Sequence, residues 1–208
     1  MFPLGTALLP GMALPLRLFE PRYLQLYADV IDGGREFGVV LIERGIESRD
    51  DNPTFHVGSL ARIVGSGIND DGTIGLLTIG MSRIRISEWL SPDPYPVAMV
   101  TDLDDDPLSE EGVASLRTAT DDLLRLFALA GDLGSDVETV APTLSDDPAR
   151  AVYDLAQLAG LQELDRQRIL EAPTSDARAS LVHDLIIETI DLIRLQLETG
   201  DPWPPPAE

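Results

Sequence analysis

The chain of 208 residues contains no lysine; all fifteen of its basic residues are arginine. That absence removes two chemistries. A phosphate-binding loop of the form Gly-x-x-x-x-Gly-Lys needs a lysine on the phosphates, and a serine–lysine peptidase needs one as its base. Cysteine is absent too, which excludes disulfides, zinc–thiolate sites and cysteine nucleophiles. Positive charge is scarce: 36 acidic residues stand against 15 basic ones, a net charge of -21. Phosphate backbones and anionic membrane surfaces both attract clustered cations, so neither nucleic acid nor membrane is an expected partner. No run approaches the ~18 apolar residues of a membrane span. The apolar start does not read as a signal peptide, because it lacks a basic leader and Pro3, Pro10 and Pro15 break any helix. The expected location is the cytoplasm.

Chemistry-bearing residues are thinly spread. Only two histidines occur, His56 and His183. His183 adjoins Asp184, but neighbours on a helix point apart, and His56 has no metal partner at motif spacing. Asp102, Asp104 and Asp106 are spaced like the start of a calcium loop. Pro107, however, stands where the turn glycine belongs, and Val113 where the bidentate glutamate belongs. An exposed linker is the better reading. No cofactor or metal is expected, and the chain is read as non-catalytic.

The composition changes near residues 102–111, which read Asp-Leu-Asp-Asp-Asp-Pro-Leu-Ser-Glu-Glu. This divides the chain into a β-rich part (1–106), a helical part (107–200) and a Pro-rich tail (201–208). In the first part, a strand over Met12 to Phe19 carries Pro15, as an edge strand would. Pro21 opens a short helix to Ile31, ended by Asp32-Gly33-Gly34. Strands follow at Glu36 to Glu43 and Val57 to Gly67, with a loop over 44–56 between them. Asn69-Asp70-Asp71-Gly72 is a hairpin turn, with its return strand at Thr73 to Ile79. A further strand at Arg83 to Ser87 alternates Arg83 and Arg85 against Ile84 and Ile86. The last strand is Val97 to Leu103. In the second part, helices are expected over Ser109 to Ala130, from Asp147-Pro148 to about Ala159, and over Leu161 to Leu170, with Pro173-Thr174-Ser175 preceding the longest one, which ends near Thr199-Gly200. The expected fold is α+β: a small, partly closed β-barrel with one inserted helix, then a helical bundle ending in a long helix.

Several segments carry a resemblance. They are Phe2-Pro-Leu-Gly, Leu14-Pro-Leu, Phe19-Glu-Pro-Arg-Tyr23, Val57-Gly-Ser-Leu-Ala-Arg-Ile, the Asp71-Gly72 hairpin and Gly80-Met-Ser-Arg-Ile-Arg-Ile. Leu161-Gln-Glu-Leu-Asp-Arg-Gln-Arg-Ile-Leu-Glu171, Arg178 and the long last helix extend it. Together they resemble the N-terminal, substrate-binding domain of Lon proteases over nearly the whole chain. In complete Lon proteases an ATPase module and a serine–lysine protease follow; the resemblance therefore implies a stand-alone domain that recognises polypeptides. The related domain of cereblon helps to hold a ligase assembly together, so fold alone does not assign the role.

Two readings of partner and site follow. In the first, the chain binds unfolded or misfolded polypeptides, as an adaptor or holdase. In the second, it is an assembly module for one specific folded partner or for a second copy, making a homodimer. For the Phe19–Tyr23 motif, one reading has Phe19 and Tyr23 pack the helix onto the barrel. The other leaves Glu20 and Arg22 on the rim of a recognition surface. Met12, Met81 and Met99 are candidate adaptable contacts, or else fill gaps in the core. Glu20, Arg22, Met12, Met81 and Met99 are thus the candidate peptide-binding residues.

Overall fold

The structure, a computed structural model, describes residues 1–43, 53–132 and 143–199. Most of the loop expected over 44–56, and the tail over 201–208, lie outside the described residues. The fold is α+β. The first strands are β1 (Phe2–Leu4) and β2 (Ala13–Leu18), followed by α1 (Pro21–Ile31) and β3 (Glu36–Leu41). Then come β4 (Val57–Ile68), β5 (Ile74–Trp89) and β6 (Ala98–Leu103). The remaining elements are α2 (Glu110–Asp132), α3 (Pro148–Leu158), α4 (Glu163–Glu171) and α5 (Ser175–Thr199). They form two compact units: Met1–Asp105 with Gln162–Glu171, and Asp106–Leu161 with Ala172–Glu208.

Local sequence accounts for most of the boundaries. Pro21 occupies the first turn of α1 and Pro148 that of α3, where the missing N–H costs nothing. Asp147 caps α3 by accepting from the Ala149 N–H at 3.1 Å. Gly160, at φ 64, ends that region in the left-handed conformation. At the end of α1 the expectation differs from the structure. Arg35, not Gly33 or Gly34, takes the positive φ (58), and its N–H returns to the Val30 carbonyl at 3.0 Å.

In the first unit the six strands form one sheet in the order β1-β3-β4-β5-β2, with β6 also on β5. The partly closed barrel expected from sequence is corrected to an open sheet. Closure would need β1 to meet β2; among the described residues β1 pairs with β3, and β2 with β5. Pro15 makes β2 suited to an edge. The two strands expected over 73–79 and 83–87 are one strand of 16 residues. Gly80 does not break it; it lets another segment come close. The Gly80 N–H donates to the Met12 carbonyl at 3.0 Å, and the Gly11 N–H donates to the Gly80 carbonyl at 2.8 Å. A Cβ on Gly80 would stand 2.2 Å from the Leu9 oxygen.

The core of this unit lies between the inner sheet face and α1. It contains Phe2, Leu18, Tyr23, Leu26, Phe37, Ile63 and Leu76, with the Phe2 and Tyr23 rings 4.0 Å apart between centroids. Tyr23 packs as expected. Phe19 does not: it is 67% exposed. The period of two in β2 explains this, since Leu14, Leu16 and Leu18 turn toward the core and the next residue turns away.

The alternation puts Arg83 and Arg85 on one face of β5; Arg85 is exposed there, yet Arg83 is buried, as are Ile84 and Ile86. The Arg83 Nη1 donates to the Leu170 carbonyl near the end of α4 at 2.9 Å. Its Nε donates to the Asp105 carboxylate at 2.9 Å, and its Nη2 to the Asp104 carbonyl at 3.3 Å. The same helix is held to the sheet by Gln167, whose Nε2 donates to the Val57 carbonyl at 3.0 Å. Glu163 joins in, accepting from the Ala7 N–H at 2.7 Å and from the Thr6 hydroxyl at 2.9 Å. A strand covered on both faces loses simple alternation.

In the second unit α2, α3 and α5 pack against one another. Arg178 is fully buried there. It donates to the Ala172 carbonyl at 3.2 Å and to the Ser175 hydroxyl at 2.7 Å, and its guanidinium lies 5.4 Å from the centre of the Tyr153 ring. Asp106 accepts from the Ser175 N–H at 3.0 Å, while Asp176 accepts from the Ser109 N–H at 3.0 Å. The start of each long helix is thus held by an aspartate from beside or within the other. His183 pairs with Asp122 of α2, not Asp184, at 3.0 Å.

Two stability predictions follow. Replacing Arg83 by Leu leaves the Leu170 and Asp104 carbonyls short of a donor, and should cost about 3 kcal/mol in urea unfolding. Arg83→Lys should restore only part of that, because one ammonium cannot reproduce a planar fork. Gly80→Ala should cost about 2 kcal/mol or more through its clash with Leu9. Equal unfolding midpoints for the variant and the parent would refute either assignment.

Candidate functional site

The outer face of the sheet, opposite α1, carries a shallow depression of about 460 Å³. Strand register builds it. Pro15, Leu77 and Gly65 form one row across β2, β5 and β4; Arg17, Gly75 and Gly67 form the next. Three of those six positions are glycine, so the floor is backbone and the walls are side chains. Pro15 and Leu77 supply apolar walls, with Ile68 at the rim 82% exposed. Val64 is also exposed nearby on β4. No steric demand explains Gly67: an added Cβ would meet nothing within 4 Å.

The hairpin turn at this end is rigidly made. Gly72 takes φ 80, and its N–H donates to the Asn69 carbonyl at 2.9 Å. Asp71 accepts from the Thr73 hydroxyl at 2.7 Å and from the Thr73 N–H at 3.1 Å, and it pairs with Arg17. These hydrogen bonds, the hydroxyl's first, hold its carboxyl below the ordinary 3.8. The site therefore offers an open backbone floor between apolar walls, one arginine already paired, and carboxylates at the tip. Among the described residues no group of three or more His, Cys, Asp or Glu could hold a metal ion. What this surface can do is bind an apolar segment.

The sequence-derived candidates fall on several elements. Glu20 and Arg22 lie at the start of α1, beyond the Leu18–Ile74 pair. They form an ion pair with each other, Nη2 to Oε2 at 2.8 Å, and the Arg22 guanidinium lies 4.6 Å from the centre of the Tyr23 ring. Met12 stands across from Gly80, the residue before Met81, its carbonyl accepting from the Gly80 N–H, and its side chain packs against the core. Met12 and Met81 are both half-buried, and the Met12 sulfur lies 3.5 Å from Arg166. Met99, 54% exposed on β6, is registered with Glu88. From Met81 to Glu88 the strand runs seven residues, about 23 Å at its usual rise. These five residues do not share one surface. The glycine-floored depression lies on none of the residues expected to bind. Its signal was present all the same: glycine at alternate positions of a strand marks one face without side chains.

The described residues contain no helix long and apolar enough to cross a membrane. The sequence model of the ATP-dependent protease La (LON) substrate-binding domain matches residues 1–188. Lon protease 2 of Bdellovibrio bacteriovorus is 23% identical over 194 residues, covering 90% of this chain and 24% of that protein. The Lon protease of Magnetococcus marinus is 27% identical over 212 residues, covering 94% of this chain and 25% of that protein. The chain thus spans about a quarter of the length of these relatives. Among solved structures, the Lon N-terminal domain protein from Xanthomonas campestris superposes with a TM-score of 0.61 at 28% identity, covering 85% of this chain and 91% of that one. The N-terminal domain of the Mycobacterium avium complex Lon protease does so at 0.60 and 19% identity, over 89% and 93%, and shows the same fold.

Asp71 gives this site a pH signature. Its folded-state pKa is lowered, so the hairpin tip keeps its full stabilisation above the ordinary carboxylate range. That stabilisation is lost as pH falls through the lowered value. Carbon-detected NMR titration should place the Asp71 carboxyl below 3.8, and Thr73→Val should move it back up. A titration at the ordinary value in the parent would contradict the hydrogen bonding described.

Proposed function

Because this chain belongs to the family of the Lon substrate-binding domain, we propose that it captures polypeptides without acting on them chemically, as an adaptor or holdase. The observation that carries this reading is the depression on the outer sheet face: apolar, shallow and floored by backbone. Such a surface takes side chains of varied shape, since glycine imposes no partner geometry. Binding would rest on burial of apolar area, at about 25 cal/mol per Å², rather than on a fixed set of hydrogen bonds. Weak, sequence-tolerant affinity is the consequence. In this reading Met12 and Met81 provide an adaptable contact near the middle of β5, Met99 a separate one on β6, and the Glu20–Arg22 pair a polar rim. The reading carries a cytoplasmic setting.

The test compares a permanently unfolded, fluorescently labelled polypeptide with its folded parent, in the absence of nucleotide. Saturable binding of the unfolded form alone is expected. Gly67→Val should then weaken binding about tenfold, or ~1.4 kcal/mol, by filling the depression. It should leave thermal stability unchanged or raised, because the site is sterically free and valine favours strands. Binding of neither form would overturn the reading and favour a dedicated folded partner or self-association.

A further inference from the structure

The sheet of the first unit leaves three strands with a neighbour on one side only: β1 and β2 at the ends of the path, and β6 beside β5. Such edges invite pairing with another chain unless something blunts them. β1 is blunted by its length of three residues, and β2 by Pro15, which has no N–H to offer. β6 has six residues, Ala-Met-Val-Thr-Asp-Leu, with neither proline nor a basic residue, and Met99 to Asp102 are all exposed. Two contacts show which way its backbone points. The Val97 carbonyl accepts from the Leu90 N–H at 2.8 Å, and the Met99 carbonyl accepts from the Ser87 hydroxyl at 3.0 Å. Odd-numbered residues therefore turn their N–H and C=O toward β5, while Ala98, Val100 and Asp102 turn theirs away from it. The extra residue of the bulge near this point lies on β5, so β6 itself stays regular.

We propose that this edge pairs, antiparallel, with the same edge of a second copy, making a symmetric dimer with one continuous sheet. Parity restricts the register, because the outward-turned residues must face one another. Centring the pair on Val100 sets Val100 against Val100 and Ala98 against Asp102, so no acid meets an acid. On one face the row then reads Ile86, Val100, Val100, Ile86, since Ile86 is the β5 partner of Val100. Ile86 is buried and Val100 is 41% exposed; the second copy completes an apolar row that otherwise runs out at the edge. On the other face the row reads Arg85, Thr101, Met99, Glu88, with opposite charges at its two ends. Sliding one copy by two residues toward Leu103 would instead set Asp102 against Val100, and sliding it the other way shortens the pairing. An unfolded client could make the same backbone bonds, but it would bring no fixed side chain to Val100; the edge matches itself. The force opposing association is the net charge of -21 on each copy, which salt screens. This surface is separate from the sheet depression and does not rest on polypeptide capture there.

Analytical ultracentrifugation of the full chain should show a monomer–dimer equilibrium that tightens as salt rises. Val100→Asp places two acids face to face at the axis and should weaken association about tenfold or more, with far-UV circular dichroism confirming that the variant is folded. Gly67→Val should leave the equilibrium unchanged. Register is read independently by cross-linking, because the chain has no cysteine of its own. Val100→Cys should form a disulfide between copies under mild oxidation, since residues paired across the axis stand about 5.5 Å apart between Cα atoms, within disulfide range. Thr101→Cys should not, because its nearest equivalent in the second copy lies diagonally, about 7–8 Å away. A monomer at every concentration and salt, a dimer indifferent to Val100→Asp, or equal cross-linking of the two cysteine variants would overturn the proposal. So would a monomer whose capture of an unfolded polypeptide is lost in Val100→Asp, which would assign the edge to clients instead.

Discussion

Arg83 places a permanent charge inside the first unit, and the arrangement around it is set by what that charge needs. A guanidinium has five N–H donors in a fixed plane and is never deprotonated in a protein. Leaving it buried without acceptors would cost several kcal/mol. The structure meets the demand with three groups from two separate stretches: the Asp104 carbonyl and Asp105 carboxylate just after β6, and the Leu170 carbonyl near the end of α4. Those are the two places where the chain leaves this unit for the next. One side chain therefore anchors the sheet, a helix distant in sequence, and both exits. Asp105 answers Arg83, and Asp106 caps α5.

The second unit solves a similar problem with similar means. Arg178 draws together the Ala172 carbonyl and Ser175 at the start of α5, against the Tyr153 ring of α3. Asp106 and Asp176 hold the starts of α5 and α2. Asp106 titrates below its ordinary value chiefly because it accepts from the Ser175 backbone, with Arg178 adding a smaller attraction. These are tasks for a planar, branching cation. A lysine offers one compact ammonium and could serve neither cluster fully. At these two positions the arginine-only composition has a structural reason; elsewhere on the surface nothing in the structure explains it.

Much of the fold was legible because local signals carried it. Pro21, Asp147-Pro148, Gly72 and Gly160 each act through their own backbone chemistry, and each stands where that chemistry placed it. The hidden features depended on distant partners. The period of two could not reveal that α4, some eighty residues later, would cover the Arg83 side of β5. Barrel closure likewise depends on which strands meet, and pairing between β1 and β2 leaves no local trace. Phe19 could have been read correctly, since the alternation of Leu14, Leu16 and Leu18 already turns it outward. For His183, geometry excluded Asp184 without naming Asp122, which only packing of α2 on α5 supplies. The site followed the same division. Residue type marks single positions, whereas the depression is made by register across three strands.

Glycine is the least stabilising ordinary residue within a strand, by roughly 0.5–1 kcal/mol relative to alanine. A strand glycine therefore invites a structural reason. Gly80 has one, because a Cβ would strike the Leu9 oxygen, and so does Gly58, whose Cβ would stand 2.2 Å from the Val39 oxygen. Gly67 has none: the space above it is open, and its φ lies outside the left-handed range. Gly65 meets only the Leu77 Cβ, at an ordinary 3.8 Å. The chain thus gives up strand stability at two neighbouring positions whose effect is to keep a hollow open. A β-branched residue at Gly67 would strengthen the hairpin and fill the floor with its own side chain. An open sheet makes such an arrangement possible, since a closed barrel or a covering helix would bury this face. Stability and access to that face are opposed here, and the glycines favour access.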